Sequence, residues 1–137
     1  MRPILSIIAF SLLTSIWPAT AMADYTAPQS MERSNRGLSY LSGGIGDEER
    51  DEILAREKDF NLKLVFAEKT GSYMADVNVV VLNTKGQTVL EANSTGPFFL
   101  AKLPAGNYRV KVTGNGRAQE AMMAVPAKGR QGRTFIW

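Results

Sequence analysis

From Asn61 onward, apolar and polar positions alternate with a period of two, the spacing of side chains along a β-strand. Leu62, Leu64 and Phe66 alternate with Lys63, Val65 and Ala67, and the run ends in Lys69-Thr70-Gly71-Ser72. Val77–Leu82 is apolar on both faces, which predicts a strand covered on both sides. Asn83-Thr84-Lys85-Gly86 turns the chain into residues 88–92, and Asn93-Ser94-Thr95-Gly96 into residues 98–103. There Phe98, Leu100 and Lys102 alternate with Phe99, Ala101 and Leu103. Pro104, with its fixed φ, and Gly106 then predict a hairpin turn into Tyr108, Val110 and Val112, which alternate with Arg109, Lys111 and Thr113. Gly114-Asn115-Gly116 signals a further turn into Arg117–Val125, Pro126 to Gly129 breaks that strand, and residues 133–137 form the last one. The pattern predicts a mainly β domain of seven strands, evenly spaced as in a small β-sandwich. Its core is expected at Phe66, Val79, Val81, Phe98, Leu100, Tyr108, Val110 and Val112.

Upstream the period lengthens. Ser42-Gly43-Gly44-Ile45-Gly46 leads into residues 47–60, where Asp47, Glu48 and Glu49 crowd the first turn of a helix and Arg56 and Lys58 its last. Its apolar stripe is thin: Ile45, Ile53 and Phe60, with Leu54 beside them. This stripe is expected to cover the outer side of Val77–Leu82. Residues 24–39 hold few large apolar side chains and predict a flexible leader. Residues 1–23 carry Arg2, an uncharged apolar run from Ile4 to Trp17, and Ala21-Met22-Ala23, the layout of a cleavable signal peptide. The run is shorter than the roughly 20 residues that span a bilayer. The expected division is therefore signal peptide 1–23, leader 24–39, glycine-rich lead-in and helix 40–60, and β-domain 61–137, with no membrane span once the signal is removed.

Composition narrows the chemistry. The 137 residues include no cysteine and no histidine, so disulfides, thiol nucleophiles, imidazole bases and the common zinc ligands are absent. Charge is uneven: residues 24–76 hold 11 acids and 7 bases (−4), whereas residues 77–137 hold 2 acids and 8 bases (+6). Intramolecular complementarity accounts for that asymmetry, and export argues against nucleic acid. The glycine-rich lead-in lacks the Lys-Ser/Thr of a phosphate loop, and the acids after it repel phosphate. Asp47, Glu48, Glu49 and Asp51 lack the ligand spacing of a calcium loop, so no metal and no cofactor are expected.

The runs Val79-Val80-Val81-Leu82-Asn83-Thr84-Lys85-Gly86, Gly96-Pro97-Phe98-Phe99-Leu100 and Leu103-Pro104-Ala105-Gly106-Asn107-Tyr108 resemble the carboxypeptidase regulatory-like domain. The likeness covers residues 62–137 and implies a seven-stranded, transthyretin-like (prealbumin-like) β-sandwich, here with one N-terminal helix. The lead-in and helix are similar to those of small exported proteins of Gram-negative bacteria that carry this domain alone, which implies a periplasmic or secreted location. In the parent enzymes the domain sits beside a zinc peptidase and is not itself catalytic. The related hydroxyisourate hydrolase depends on histidines and a C-terminal Tyr-Arg-Gly-Ser, and this chain has no histidine and ends Thr134-Phe135-Ile136-Trp137. In sandwiches that form a Lys-Asn isopeptide, the lysine stands where Lys63 does, but the last strand here offers no Asn or Asp.

The expected function is thus a non-enzymatic binding or accessory module for an envelope protein or an anionic envelope polymer. The alternative is a small hydrolase using the helix carboxylates. Candidate binding residues are Lys102, Arg109, Lys111 and Arg117, read as a basic stripe on adjacent strands. Tyr108 is expected in the core with its hydroxyl bonded to nearby backbone, and Phe99, Phe135 and Trp137 are expected to complete the core or lie under the helix rather than form a glycan platform. Oligomeric state is not set by these patterns.

Overall fold

A computed structural model of the chain describes residues 33–137. The expected signal peptide and residues 24–32 of the expected leader lie outside the described residues. Within them the chain is mainly β. The order is β1 (Arg33–Asn35), β2 (Leu38–Gly43), helix α1 (Asp47–Arg56) with a 3₁₀ turn (Glu57–Asp59), β3 (Leu62–Ala67), β4 (Val77–Leu82), β5 (Thr88–Ser94), β6 (Phe98–Ala101), β7 (Gly106–Gly114), β8 (Arg117–Val125) and β9 (Gln131–Ile136). Two sheets form, ordered β1-β2-β6-β3-β9 and β5-β4-β7-β8. All their pairings are antiparallel except β3 with β9.

The main core lies between the sheets, as period-two burial requires. Leu62, Leu64, Phe66, Phe99 and Phe135 from one sheet meet Val77, Val79, Val81, Tyr108, Val110 and Val112 from the other. Nine strands stand among the described residues where seven were expected. The two additional ones, β1 and β2, come from residues 33–43, assigned above to the leader and the glycine-rich lead-in. Their alternation is masked by serines, but Leu38 and Tyr40 face the main core, Tyr40 stacking on Phe99 with ring centroids 5.5 Å apart.

The segment read as a hairpin, residues 98–112, is a corner between sheets. β6 belongs to the first sheet and β7 to the second, and the Leu103-Pro104-Ala105 link carries the chain across. Gly106 does not have positive φ. Asn61 fastens the corner: its Nδ2 donates to the Leu103 carbonyl (2.6 Å) and the Pro126 carbonyl (3.3 Å), and its Oδ1 accepts from the Leu103 N–H (2.8 Å). Its own carbonyl accepts from the Gln131 N–H (3.0 Å). One residue, through its side-chain amide and its backbone carbonyl, thus joins the start of β3, the end of β6, the end of β8 and the start of β9.

The helix covers β6, not β4. Phe98 and Leu100 point away from the main core into a second cluster with Leu41, Ile53 and Phe60, so β6 is buried on both faces. The outer residues of β4, Asn78, Val80 and Leu82, stay half-buried beneath no helix. Of the expected stripe, Ile53 and Phe60 are buried, whereas Ile45 and Leu54 are exposed. Glycine permits the close packing: a Cβ on Gly96 would fall onto the Gly43 backbone, and one on Gly44 onto the Phe98 ring. Glu57, at the end of the helix, bridges Lys63 on β3 and Arg130 before β9, its Oε2 3.1 Å from Arg130 Nη2.

Two stability outcomes follow from this packing. Gly96→Ala should lower unfolding free energy by about 1–3 kcal/mol in chemical denaturation, because backbone must move to admit the methyl. Asn61→Ala should cost about 2–4 kcal/mol by stranding the Leu103 and Pro126 groups, with Asn61→Asp, which keeps the acceptor, falling between.

Candidate functional site

The four candidate basic residues are all exposed, but they do not form one stripe. Lys102 follows β6 on the helix-covered sheet, where its backbone N–H donates to the Ser39 carbonyl (3.0 Å). Arg117 opens β8 opposite Gly114, and its carbonyl accepts from Trp137 Nε1 (3.2 Å). It lines a cleft of about 280 Å³ with Glu68, Lys69, Asn115 and Trp137. Arg109 and Lys111 alone share a face, the outer side of β7. The stripe presumed that residues 102 and 109 lie on paired strands, and the corner at Pro104 puts them on different sheets.

The outer face of β5-β4-β7-β8 is the one broad sheet face among the described residues that no helix covers. Register places its side chains in rows. Glu91, Val80, Lys111 and Glu120 stand side by side across the four strands, and Leu82, Arg109 and Met122 form the next row. The face therefore mixes both charge signs with aliphatic surface, Met122 being 63% exposed. A shallow hollow of about 380 Å³ opens between Arg109, Glu120 and Met122.

Other concavities are less equipped. A largely apolar cleft of about 360 Å³ lies where the β1–β2 turn meets β5, lined by Leu38, Val89, Pro104 and Tyr108, with Arg36 at its edge. Its one phenol is engaged: Tyr108 donates to the Pro104 carbonyl at 2.6 Å. A third cleft, of about 280 Å³, sits beside the helix start, where the Arg50 guanidinium lies 5.1 Å from the Tyr73 ring centroid and 3.4 Å from Asp47 Oδ1. Neither Arg50 nor Tyr73 was singled out by sequence pattern, since nothing local couples positions 50 and 73.

The helix carboxylates do not converge on a cleft. Asp47, Glu48 and Asp51 are exposed and Glu57 is ion-paired. Among the described residues no three acids are grouped so as to hold a metal ion. Nor is any helix there long and apolar enough to cross a membrane. The aromatic candidates pack inward: Phe99 and Phe135 are buried, and the Trp137 ring lies 6.1 Å from Phe66 and 6.4 Å from Phe135.

Burial pushes the Tyr108 phenol above its ordinary value of 10.0, because the phenolate would lose solvation. Above that pH the unfolded chain releases this proton and the folded chain keeps it, so the stabilisation is complete below pH 10 and declines as pH rises further. Tyr108→Phe should cost about 0.5–1.5 kcal/mol at neutral pH through the lost hydrogen bond. In denaturation series run from neutral to strongly alkaline pH, the gap between the two proteins should narrow; a constant gap would contradict a buried, protonated phenol. The chain matches no protein-family model and no curated protein.

Proposed function

We propose that this chain is a non-enzymatic interaction module, exported to the periplasm or beyond, that binds an envelope protein through the outer face of β5-β4-β7-β8. The observation that carries this reading is the contrast between the two sheets. One has its centre, β6, buried on the outer side beneath α1, while the other presents an open face of interleaved Lys111, Glu120, Arg109 and aliphatic side chains. An apolar ground set with charges of both signs suits a protein surface of complementary charge. An anionic polymer is the poorer fit, because Glu91 and Glu120 flank Lys111 in its row.

The leader composition and the apolar run before it support export. The two facing sheets and the Leu103-Pro104-x-Gly106-x-Tyr108 corner support a divergent carboxypeptidase regulatory-like domain of transthyretin-like type, with β1 and β2 added at one edge. Support for binding over a small hydrolase comes from the helix carboxylates, none of which lines a described cleft: Asp47, Glu48 and Asp51 are exposed, Glu49 and Glu52 are half-buried, and Glu57 is ion-paired.

Capture from envelope extract tests the proposal. The immobilised protein should retain a partner at low salt and lose most of it at high salt. Arg109→Glu with Lys111→Glu should reduce capture at least tenfold, equivalent to about 1.4 kcal/mol. Lys102→Glu, on the other sheet, should leave capture intact. A partner retained through both the salt and the double substitution would overturn this assignment of the face.

A further inference from the structure

β8 is the edge of the uncovered sheet. It pairs with β7 over nine residues without a register shift, from Gly106↔Val125 to Gly114↔Arg117. Asn115 and Gly116 close the pair with φ of 49° and 71°. Two central residues at positive φ make a two-residue turn of type I′, and the residues flanking such a turn exchange hydrogen bonds. Counting from Gly114↔Arg117, hydrogen-bonded pairs recur at every second position. The backbone groups of Gln119, Ala121 and Met123 therefore point to β7, and those of Ala118, Glu120, Met122 and Ala124 point outward. Among the described residues no strand takes up these outward groups.

Two of the other sheet edges are blunted where β8 is not. β1 is 3 residues long, and β5 carries a register shift against β4 at Val81/Leu82. β8 is 9 residues long, with no proline, no bulge and Glu120 as its one charge after Arg117. Natural edges of that length and composition are usually protected or paired.

We infer that β8 pairs antiparallel with β8 of a second copy of this chain, about a two-fold axis at Ala121, making one continuous sheet of twice the width. The register is selected by the sequence of the strand itself. Centred on Ala121, Ala118 faces Ala124 and Glu120 faces Met122 of the second copy, so every outward N–H and C=O is used. Centring on Glu120 instead sets two carboxylates directly opposite each other, which is destabilising. Centring on Met122 brings Ala118 against Pro126, which has no N–H to give.

Charge follows the same register. Lys111 already stands beside Glu120, but Arg109 has Leu82 on one side and Met122 on the other. Among the described residues Arg109 makes no ion pair. In the joined sheet its row continues through Met122 to Glu120 and Lys111 of the second copy. That acid lies two strand spacings away, roughly 10 Å between backbones, within reach of an arginine and a glutamate leaning across a methionine. The exposed Met122 is covered at the same time.

The purified protein alone provides the test, with no partner present, so its outcome is separate from that of the capture experiment. Sedimentation over a concentration series should show a monomer–dimer equilibrium, shifted at least tenfold toward monomer by Met122→Glu, which sets a carboxylate opposite Glu120 of the second copy, or by Glu120→Lys, with circular dichroism unchanged. Because the chain has no cysteine, Glu120→Cys and Met122→Cys report register directly. A mixture of the two variants should form disulfide-linked dimers several-fold faster than either variant alone. A protein monomeric at every concentration, a dimer indifferent to Met122→Glu, or self-linking of Glu120→Cys as fast as the mixture would each overturn the inference. A monomer whose β8 is instead protected by an extended segment of another protein falls under the first of these.

Discussion

Burial of β6 on both faces is the constraint on which the rest of the structure depends. Four consecutive residues, Phe98, Phe99, Leu100 and Ala101, have no solvent-facing side, so the chain must supply apolar cover above and below them. Below is the inter-sheet core. Above, an otherwise hydrophilic helix contributes Ile53 and the turn after it Phe60, with Leu41 from β2 completing the patch. The helix can sit that low because Gly43, Gly44 and Gly96 carry no side chains at the contact. A strand at the centre of one sheet thus dictates which sheet is covered and, by exclusion, which is left open.

Hydrogen bonding holds the chain to that arrangement where it changes sheets. The corner between β6 and β7 is secured twice, by Asn61 on the Leu103 backbone and by the Tyr108 hydroxyl on the Pro104 carbonyl. Ser94, the one buried polar residue among the described residues, does similar work at the preceding crossing, donating to the Gly96 carbonyl at 2.7 Å. At each crossing a backbone group that no strand can pair is taken up by a side chain. The outcome is a scaffold whose corner backbone groups are bonded internally, while the charges of the open sheet remain outside.

That open sheet unites the two functional readings. Its face offers a mixed-charge surface to another protein, and its β8 edge offers backbone groups in a self-complementary order. The face acts through the side chains of Arg109 and Lys111 above the sheet, and the edge through the peptide groups of Ala118 to Ala124 in its plane, with Arg109 shared where it leans toward Glu120 of the second copy. A dimer joined at β8 would present two copies of the binding face side by side, which raises avidity for a repeated or two-fold partner without any new contact.

Alternation alone located the strands from Leu62 onward, because the period of two is a local property and each of those strands buries one face or both. It also placed Tyr108, Val110 and Val112 inward and Arg109 and Lys111 outward, and the glycine-rich turn after Gly114 was legible from residue type. Residues 33–43 were not legible as strands, since serine and glycine hide the alternation and their partner, β6, is some 60 residues away in the chain. The partner of the helix was equally hidden: Phe98 and Leu100 give the same alternating signal whether they face a sheet or a helix. The turn at Pro104 reads alike as a hairpin or a corner, and only the tertiary structure, through Asn61 and the pairing of β6 with β2 and β3, sent its two strands to different sheets. Sequence determined which residues are apolar, which turn and which carry charge. Long-range packing decided which of them share a surface, because hydrogen-bond register between distant strands is set by contacts that no local pattern records.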